Sequence, residues 1–148
     1  MNKIVASYPT RSANKETIHK KWVLIDAKNA FLGRVASRIA HYLIGKHKRN
    51  FTTHINTGDH VIVINSAQVR LSGKKLDKKE YRTYTGYPGG QRVHTARQIK
   101  DKSPVRLMEL AVKRMLPKNI LGREMFRHLH VYEGTNHPHV SQKPAVVS

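Results

Sequence analysis

Residues 61–65 read VIVIN and residues 22–26 read WVLID, two short runs of apolar, mostly β-branched residues. A strand that is apolar at successive positions is buried on both faces, as in a parallel sheet covered by helices. Between the runs, residues 30–46 read AFLGRVASRIAHYLIGK and predict an amphipathic helix that stops at Gly45. Together these segments predict a strand–helix–strand unit and an α/β fold.

Helix signals continue in the second half of the chain. Ser103-Pro104 predicts a helix start, because Ser caps helices and Pro fits the first turn, and this helix should run to about Met115 before Pro117 ends it. A third helix is predicted from Ile120 to Leu129. Residues 130–134, HVYEG, then predict a last short strand, followed by a tail that contains Pro and His.

Length and composition favour one domain. The chain has 148 residues, of which 39% are hydrophobic, enough for a modest core. Residues 1–20 lack apolar periodicity and predict a basic, flexible N-terminal extension, which leaves 21–148 as a single α/β domain with a short C-terminal tail. The chain shows no bilayer-spanning run, no secretory leader and no cysteine, which predicts an intracellular protein with no membrane partner.

The charge balance predicts a polyphosphate partner. The 28 Lys and Arg against 9 Asp and Glu give a net charge of +19, which repels itself unless an anion surrounds it. No acid occurs between Ala27 and Gly58, where basic residues accumulate. Basic ridges are predicted on the first and third helices, formed by Arg34, Arg38 and His41, and by Arg123, Arg127 and His130. A solvated helix face is the alternative for either ridge alone.

Two lysine-rich segments are further candidates. Residues 45–54, GKHKRNFTTH, predict a phosphate-binding loop that contains Lys46, His47, Lys48 and Arg49. Residues 72–81, SGKKLDKKEY, carry four lysines partly offset by two acids, so both a solvated turn and an RNA contact stay open. On the second helix, Glu109 lies four residues before Lys113 and is positioned to pair with it.

Residues 81–100, YRTYTGYPGGQRVHTARQIK, combine glycine, tyrosine and basic residues without any acid. Glycines allow backbone to approach a phosphodiester chain, and tyrosine rings offer faces on which bases stack. The predicted RNA-binding residues in this stretch are Arg82, Tyr84, Gly86, Tyr87, Gly89, Gly90 and Arg92. The alternative is a flexible surface loop whose tyrosines pack on the core.

Signatures of catalysis are missing. Residues 44–48, IGKHK, lack the upstream glycine and the Ser or Thr of a phosphate-binding P-loop, and the His pairs at 128/130 and 137/139 have the wrong spacing for zinc on a helix. The nine acids are dispersed. We therefore predict no catalytic residue, no metal ligand and no cofactor, whereas the rival class, a nuclease or RNA-modifying enzyme, needs a concentrated acid/base or metal cluster.

Residues 112–134, VKRMLPKNILGREMFRHLHVYEG, resemble the signature of the bacterial-type thirteenth protein of the large ribosomal subunit. The blocks WVLIDAKNAFLGRVAS, GKHKRNFTTHINTGDHVIVINS and YTGYPGG resemble that family in the same order, so the resemblance covers about residues 20–140. Arg114 stands where many members have Gly, and Thr53 where many have Pro. Lys113, Arg114 and Lys118 of the signature segment join the predicted RNA-binding residues.

The resemblance implies a three-layer α/β/α domain with a small, mainly parallel sheet of about four strands. It implies binding to large-subunit ribosomal RNA, a role in subunit assembly without enzymatic activity, neighbouring large-subunit proteins as partners, and a cytoplasmic location within the ribosome, with an organellar ribosome left open. Messenger RNA is a second RNA partner that the resemblance allows, through translational repression. The residues alone do not distinguish RNA from DNA.

Overall fold

The computed structural model describes residues 12–147. Within this range the strands are β1 (Trp22–Asp26), β2 (His60–Ile64), β3 (Glu80–Tyr84), β4 (Gln91–Thr95), β5 (Leu129–Val131) and β6 (Ala145–Val147). The helices are α1 (Leu32–Ile44), α2 (Lys75–Lys78), α3 (Ala96–Lys102), α4 (Pro104–Met115) and α5 (Ile120–Phe126). Four strands form a parallel sheet in the order β5-β2-β1-β6, and β3 pairs antiparallel with β4. The predicted α/β fold with a four-stranded, mainly parallel sheet is confirmed.

The two strands read first from the sequence form the centre of the sheet. β1 and β2 pair in register from Trp22 and His60 onward, and the three middle residues of each strand are buried. Val23 and Val61 point into the hydrophobic core together with the apolar side of α1 and with α4. Because side chains alternate along a strand, Leu24 belongs to the opposite face of the sheet, where it is also buried.

The end of α1 is fixed by two glycines. Gly45 adopts a left-handed conformation, with φ of 86°, and its N–H donates to the carbonyls of His41 and Tyr42. A side chain at Gly58 would overlap the carbonyl of Leu43, so the segment leading into β2 passes directly against the last turn of the helix. The predicted helix and its stop at Gly45 are confirmed.

The helices of the second half agree in part with the prediction. Ser103 caps α4 by accepting a hydrogen bond from the N–H of Arg106, and Pro104 occupies the first turn, as predicted. The third predicted helix was too long, because α5 ends at Phe126 and the strand begins at Leu129 rather than at residue 130. The carbonyl of His128 accepts from Val61 N–H, so this backbone joins the sheet and cannot continue the helix.

Several elements were not predicted. Residues 80–95 form a β-hairpin that the glycine-rich stretch did not predict, and α3 follows it directly. The C-terminal tail supplies β6, an edge strand parallel to β1. In the predicted extension 1–20, residues 1–11 lie outside the described residues, whereas Ala13 is buried and the carbonyl of His19 accepts from Lys48 Nζ. The domain boundary at residue 20 stays a prediction.

A cluster of rings lies around Trp22 on the sheet. The indole stacks on His60 at 4.4 Å between ring centroids and on His139 at 5.0 Å, and His60 in turn lies 4.4 Å from His128. Burial, reinforced by the ammonium of Lys20, lowers the pKa of His128 to about 4. Burial likewise lowers the pKa of His60. His60 and His128 therefore pack as neutral rings.

Candidate nucleic-acid interface

The tip of the hairpin presents two tyrosines to solvent. The side chains of Tyr84 and Tyr87 are 67% and 75% exposed, so neither packs on the core. The chain reverses in the loop from Thr85 to Gly90, which contains Tyr87 and in which Thr85 N–H donates to Gly90 O at 3.1 Å. Exposed rings on a short turn are accessible for base stacking, and the stacking role stays a prediction.

The glycines of this turn have a structural reason of their own. Gly86 and Gly89 have φ of 94° and 71°, in the left-handed region that favours glycine. A side chain at Gly90 would overlap the hydroxyl of Thr85. The turn needs all three glycines whether or not RNA lies against them.

The two arginines predicted in the hairpin differ in their contacts. Arg82 makes an exposed ion pair with Glu80, with Nη2 3.1 Å from Oε2. Arg92 is exposed and makes no ion pair within the described chain. Because an exposed ion pair contributes little, a phosphate could displace Glu80 from Arg82 at small cost.

The basic residues of the loop after α1 form two groups, those that contact the rest of the fold and those that are exposed to solvent. Lys48 Nζ contacts Asp59 Oδ1 and donates to the carbonyls of His19 and Thr57, both at 2.9 Å. His47 Nε2 lies 2.8 Å from Asp59 Oδ2. Asp59 is only 1% exposed, so the Lys48 ammonium neutralises a buried carboxylate that His47 also contacts. Lys46 and Arg49 are exposed and free of ion pairs in the described part of the chain.

The basic residues of the helices are exposed, but their arrangement differs from the predicted ridges. Arg34 and Arg38 lie on the open side of α1, as the pattern indicated. Arg127 follows the end of α5, and His130 belongs to β5, so Arg123, Arg127 and His130 do not share a helix.

The segment from α4 to α5 adds the remaining predicted cations. The pair expected between Glu109 and Lys113 is not formed, since Lys113 Nζ instead lies 5.9 Å from the centroid of Phe126. Arg114 rests on the ring of Tyr81 at 4.9 Å, and Lys118 is exposed. Burial raises the pKa of the Tyr81 hydroxyl, an effect that Arg114 partly opposes.

Sequence reasoning missed part of this basic surface. Arg70, Lys75 and Lys79 line a groove together with Arg34 and Arg114. Lys75 and Lys79 belong to the Lys-rich run at 72–81, for which the sequence left an RNA contact open, whereas nothing in the sequence marks Arg70 as a neighbour of Arg34. The bridge between Phe31 and Arg70 brings these two distant segments together.

Two structural observations limit other kinds of site. Between residues 12 and 147, no three or more His, Asp or Glu side chains come together in a way that could hold a metal ion. In the same part of the chain, no helix has the length and apolar character needed to cross a bilayer.

Comparison with known proteins identifies the family. The sequence profile described as Ribosomal protein L13 matches residues 20–138. This chain belongs to the ribosomal protein L13 family. The large ribosomal subunit protein uL13 of Thermotoga petrophila is 53% identical over 135 residues, which cover 91% of both chains. Those of Nitrosococcus oceani and Geobacillus kaustophilus are each 50% identical, over 135 and 137 residues, or 91% and 93% of this chain and 95% and 94% of theirs.

The family match confirms the resemblance drawn from the signature segment at 112–134. It spans β1 through β5, and therefore includes the hairpin, the basic surface of α1 and the segment from α4 to α5. β6 lies beyond the part matched by the L13 family profile.

Proposed function

We propose that this protein is a structural constituent of the large ribosomal subunit, binds ribosomal RNA through its basic surface, and supports subunit assembly. The observation that carries the proposal is the lack of counter-charge on that surface. Of the Lys and Arg side chains predicted to bind RNA, only Lys48 and Arg82 make ion pairs within residues 12–147. Charges left unpaired in this way favour a polyanionic partner.

Binding would be electrostatic and shape-based. Exposed cations on α1, in the loop after α1 and on α5 would neutralise phosphates of neighbouring RNA helices that otherwise repel each other. Arg38, Lys46 and Arg123 represent these three places. The exposed tyrosines of the hairpin would add stacking at unpaired bases. No step of this mechanism requires a cofactor or a catalytic group.

The proposed setting is the cytoplasmic large subunit, with neighbouring large-subunit proteins as further partners. The uL13 relatives are named as large-subunit proteins, and their similarity extends over more than nine-tenths of this chain. A messenger RNA would have to use the same cations, so binding to it should compete with ribosomal RNA.

The test is particle association. The tagged chain should sediment with large subunits in a gradient of cell lysate, and a variant with Arg38→Glu and Arg123→Glu should move to the free fractions while keeping its melting temperature. Lys143→Glu, a charge reversal at an exposed lysine outside the predicted set, is the control. Wild-type protein found mainly in the free fractions would overturn the proposal.

A further inference from the structure

We propose that a groove between the start of α1 and the end of α4 accommodates one unstacked nucleotide of the bound RNA. This inference rests on the proposed function and adds a specific subsite to it. The groove encloses about 520 Å³, within the range of small-ligand sites. We call it the basic groove, and its main residues are Phe31, Arg34, Arg70, Lys75, Lys79 and Arg114.

The charge of the basic groove has one sign. Five cations line it and no Asp or Glu does. Three of these cations rest on aromatic rings rather than on carboxylates. Arg34 lies 5.4 Å from the centroid of Phe31, and Arg114 and Lys79 lie 4.9 Å and 5.6 Å from that of Tyr81. Cation–π contacts hold the positive groups in place without neutralising them. The groove therefore keeps its positive charge, which favours binding of an anion.

The floor of the basic groove is apolar, which distinguishes it from a surface that only attracts phosphates. Phe31 and Met115 are each 43% exposed, and Leu71 and Ala111 also line the groove. A base that has left its helix can stack on an aromatic ring or a guanidinium plane, while its phosphates contact the surrounding cations. A paired duplex keeps its bases stacked and could not use this floor.

The location favours RNA over an acidic peptide of a neighbouring protein. Arg34 and Arg114 belong both to the groove and to the basic surface proposed to bind ribosomal RNA, so the groove continues that surface. A nucleotide also matches the composition of the site, since it joins a flat apolar base to an anionic phosphate within a small volume.

Gly33 provides a clean probe of the basic groove. It lines the groove in the first turn of α1, and nothing lies within 4 Å of the position that a Cβ would take. Gly33→Glu and Gly33→Gln should therefore both fold, and the acidic side chain also suits a helix N-terminus. The two variants differ only in a negative charge placed among the cations.

The ligand probe is a single-stranded RNA of about eight nucleotides that carries a photoreactive uridine analogue, compared with a duplex of the same sequence. We expect Gly33→Glu to bind the single strand about tenfold more weakly than Gly33→Gln, with a smaller effect on the duplex. Crosslinks to the single strand should map to peptides that contain Phe31 or Met115.

Three results would overturn the inference. These are equal single-strand affinity of the two Gly33 variants, crosslinks confined to the hairpin tip, and a polyglutamate peptide that binds more tightly than RNA and is lost in Gly33→Glu. The last result would assign the basic groove to a protein partner. The variant with Arg38→Glu and Arg123→Glu, both outside the groove, tests the proposed function separately, because its loss of particle association does not depend on the Gly33 result.

Discussion

Lys48→Met should destabilise the fold, although the sequence presents this lysine as one of several charges in an exposed loop. The substitution keeps most of the apolar stem of the side chain and removes the ammonium that contacts Asp59. Lys46→Met is the matched control, because Lys46 belongs to the same loop, is exposed and makes no ion pair in the described chain.

The magnitude follows from what surrounds Asp59. Removing one partner of a buried ion pair costs about 3–5 kcal/mol, because the remaining charge is left without compensation. Here His47 and the N–H of Lys21, both 2.8 Å from the carboxylate, stay in place. We therefore expect a loss at or below the lower end of this range, about 2–3 kcal/mol in the free energy of unfolding, and a melting temperature lower by about 5–10 °C.

Urea unfolding followed by tryptophan fluorescence measures this effect directly, since Trp22 is the only tryptophan and stacks on His60 in the folded sheet. Lys48→Met should unfold at clearly lower urea than Lys46→Met, which should match wild type. Adding Asp59→Asn to Lys48→Met should recover part of the loss, because the buried charge is then absent. Equal midpoints for the two lysine variants would refute the reasoning and return Lys48 to the free phosphate-binding residues.

Other predictions concern pH, the hairpin and salt. Because the pKa of His128 is lowered to about 4, the unfolded chain takes up protons below about pH 6.5 before the folded chain does, so stability is fully present above about 6.5 and is lost as pH falls toward about 4. Urea midpoints that stay constant over this range would contradict a His128 ring that is buried in its neutral form. Tyr87→Ala should weaken RNA binding by about 1–3 kcal/mol with an unchanged melting temperature, and a lower melting temperature with normal binding would give the ring a structural role instead. Gly90→Val should lower the melting temperature, because a side chain there overlaps Thr85, and circular dichroism melts compare it with wild type. The logarithm of RNA affinity should fall steeply with the logarithm of salt concentration, and a nearly flat titration would show that the basic surface is not the binding face.

Local patterns predicted the elements whose signals are contained in a few consecutive residues. The β-branched run at 61–65, the apolar periodicity of α1 and the Ser103-Pro104 start of α4 each carry their own physical cause, and all three are present. The hairpin was harder to predict, since its glycines weaken a strand signal while providing the turn that makes the strands pair. β6 depends on β1, a partner at the other end of the chain.

The same distinction between local sequence signals and contacts made by distant segments applies to the candidate interface. Sequence shows where cations are abundant but not which of them are occupied, so Lys46 and Lys48 look equivalent until folding brings Asp59 to one of them. Arg70 reaches the basic groove only through the bridge that joins its segment to Phe31. These pairings are tertiary, and no local pattern encodes them.

The position of β6 has a consequence for how the chain matures during synthesis. β1 is the first described strand to be made, and it pairs on one side with β2 and on the other with β6, the last. From the moment the β1–β2 pair forms, the outer edge of β1 keeps unpaired backbone groups, and such an edge is a template for pairing with other chains. The nascent sheet therefore carries an open edge until residues 145–147 have been synthesised. Removal of these residues should clearly increase aggregation of the protein while lowering its free energy of unfolding only slightly.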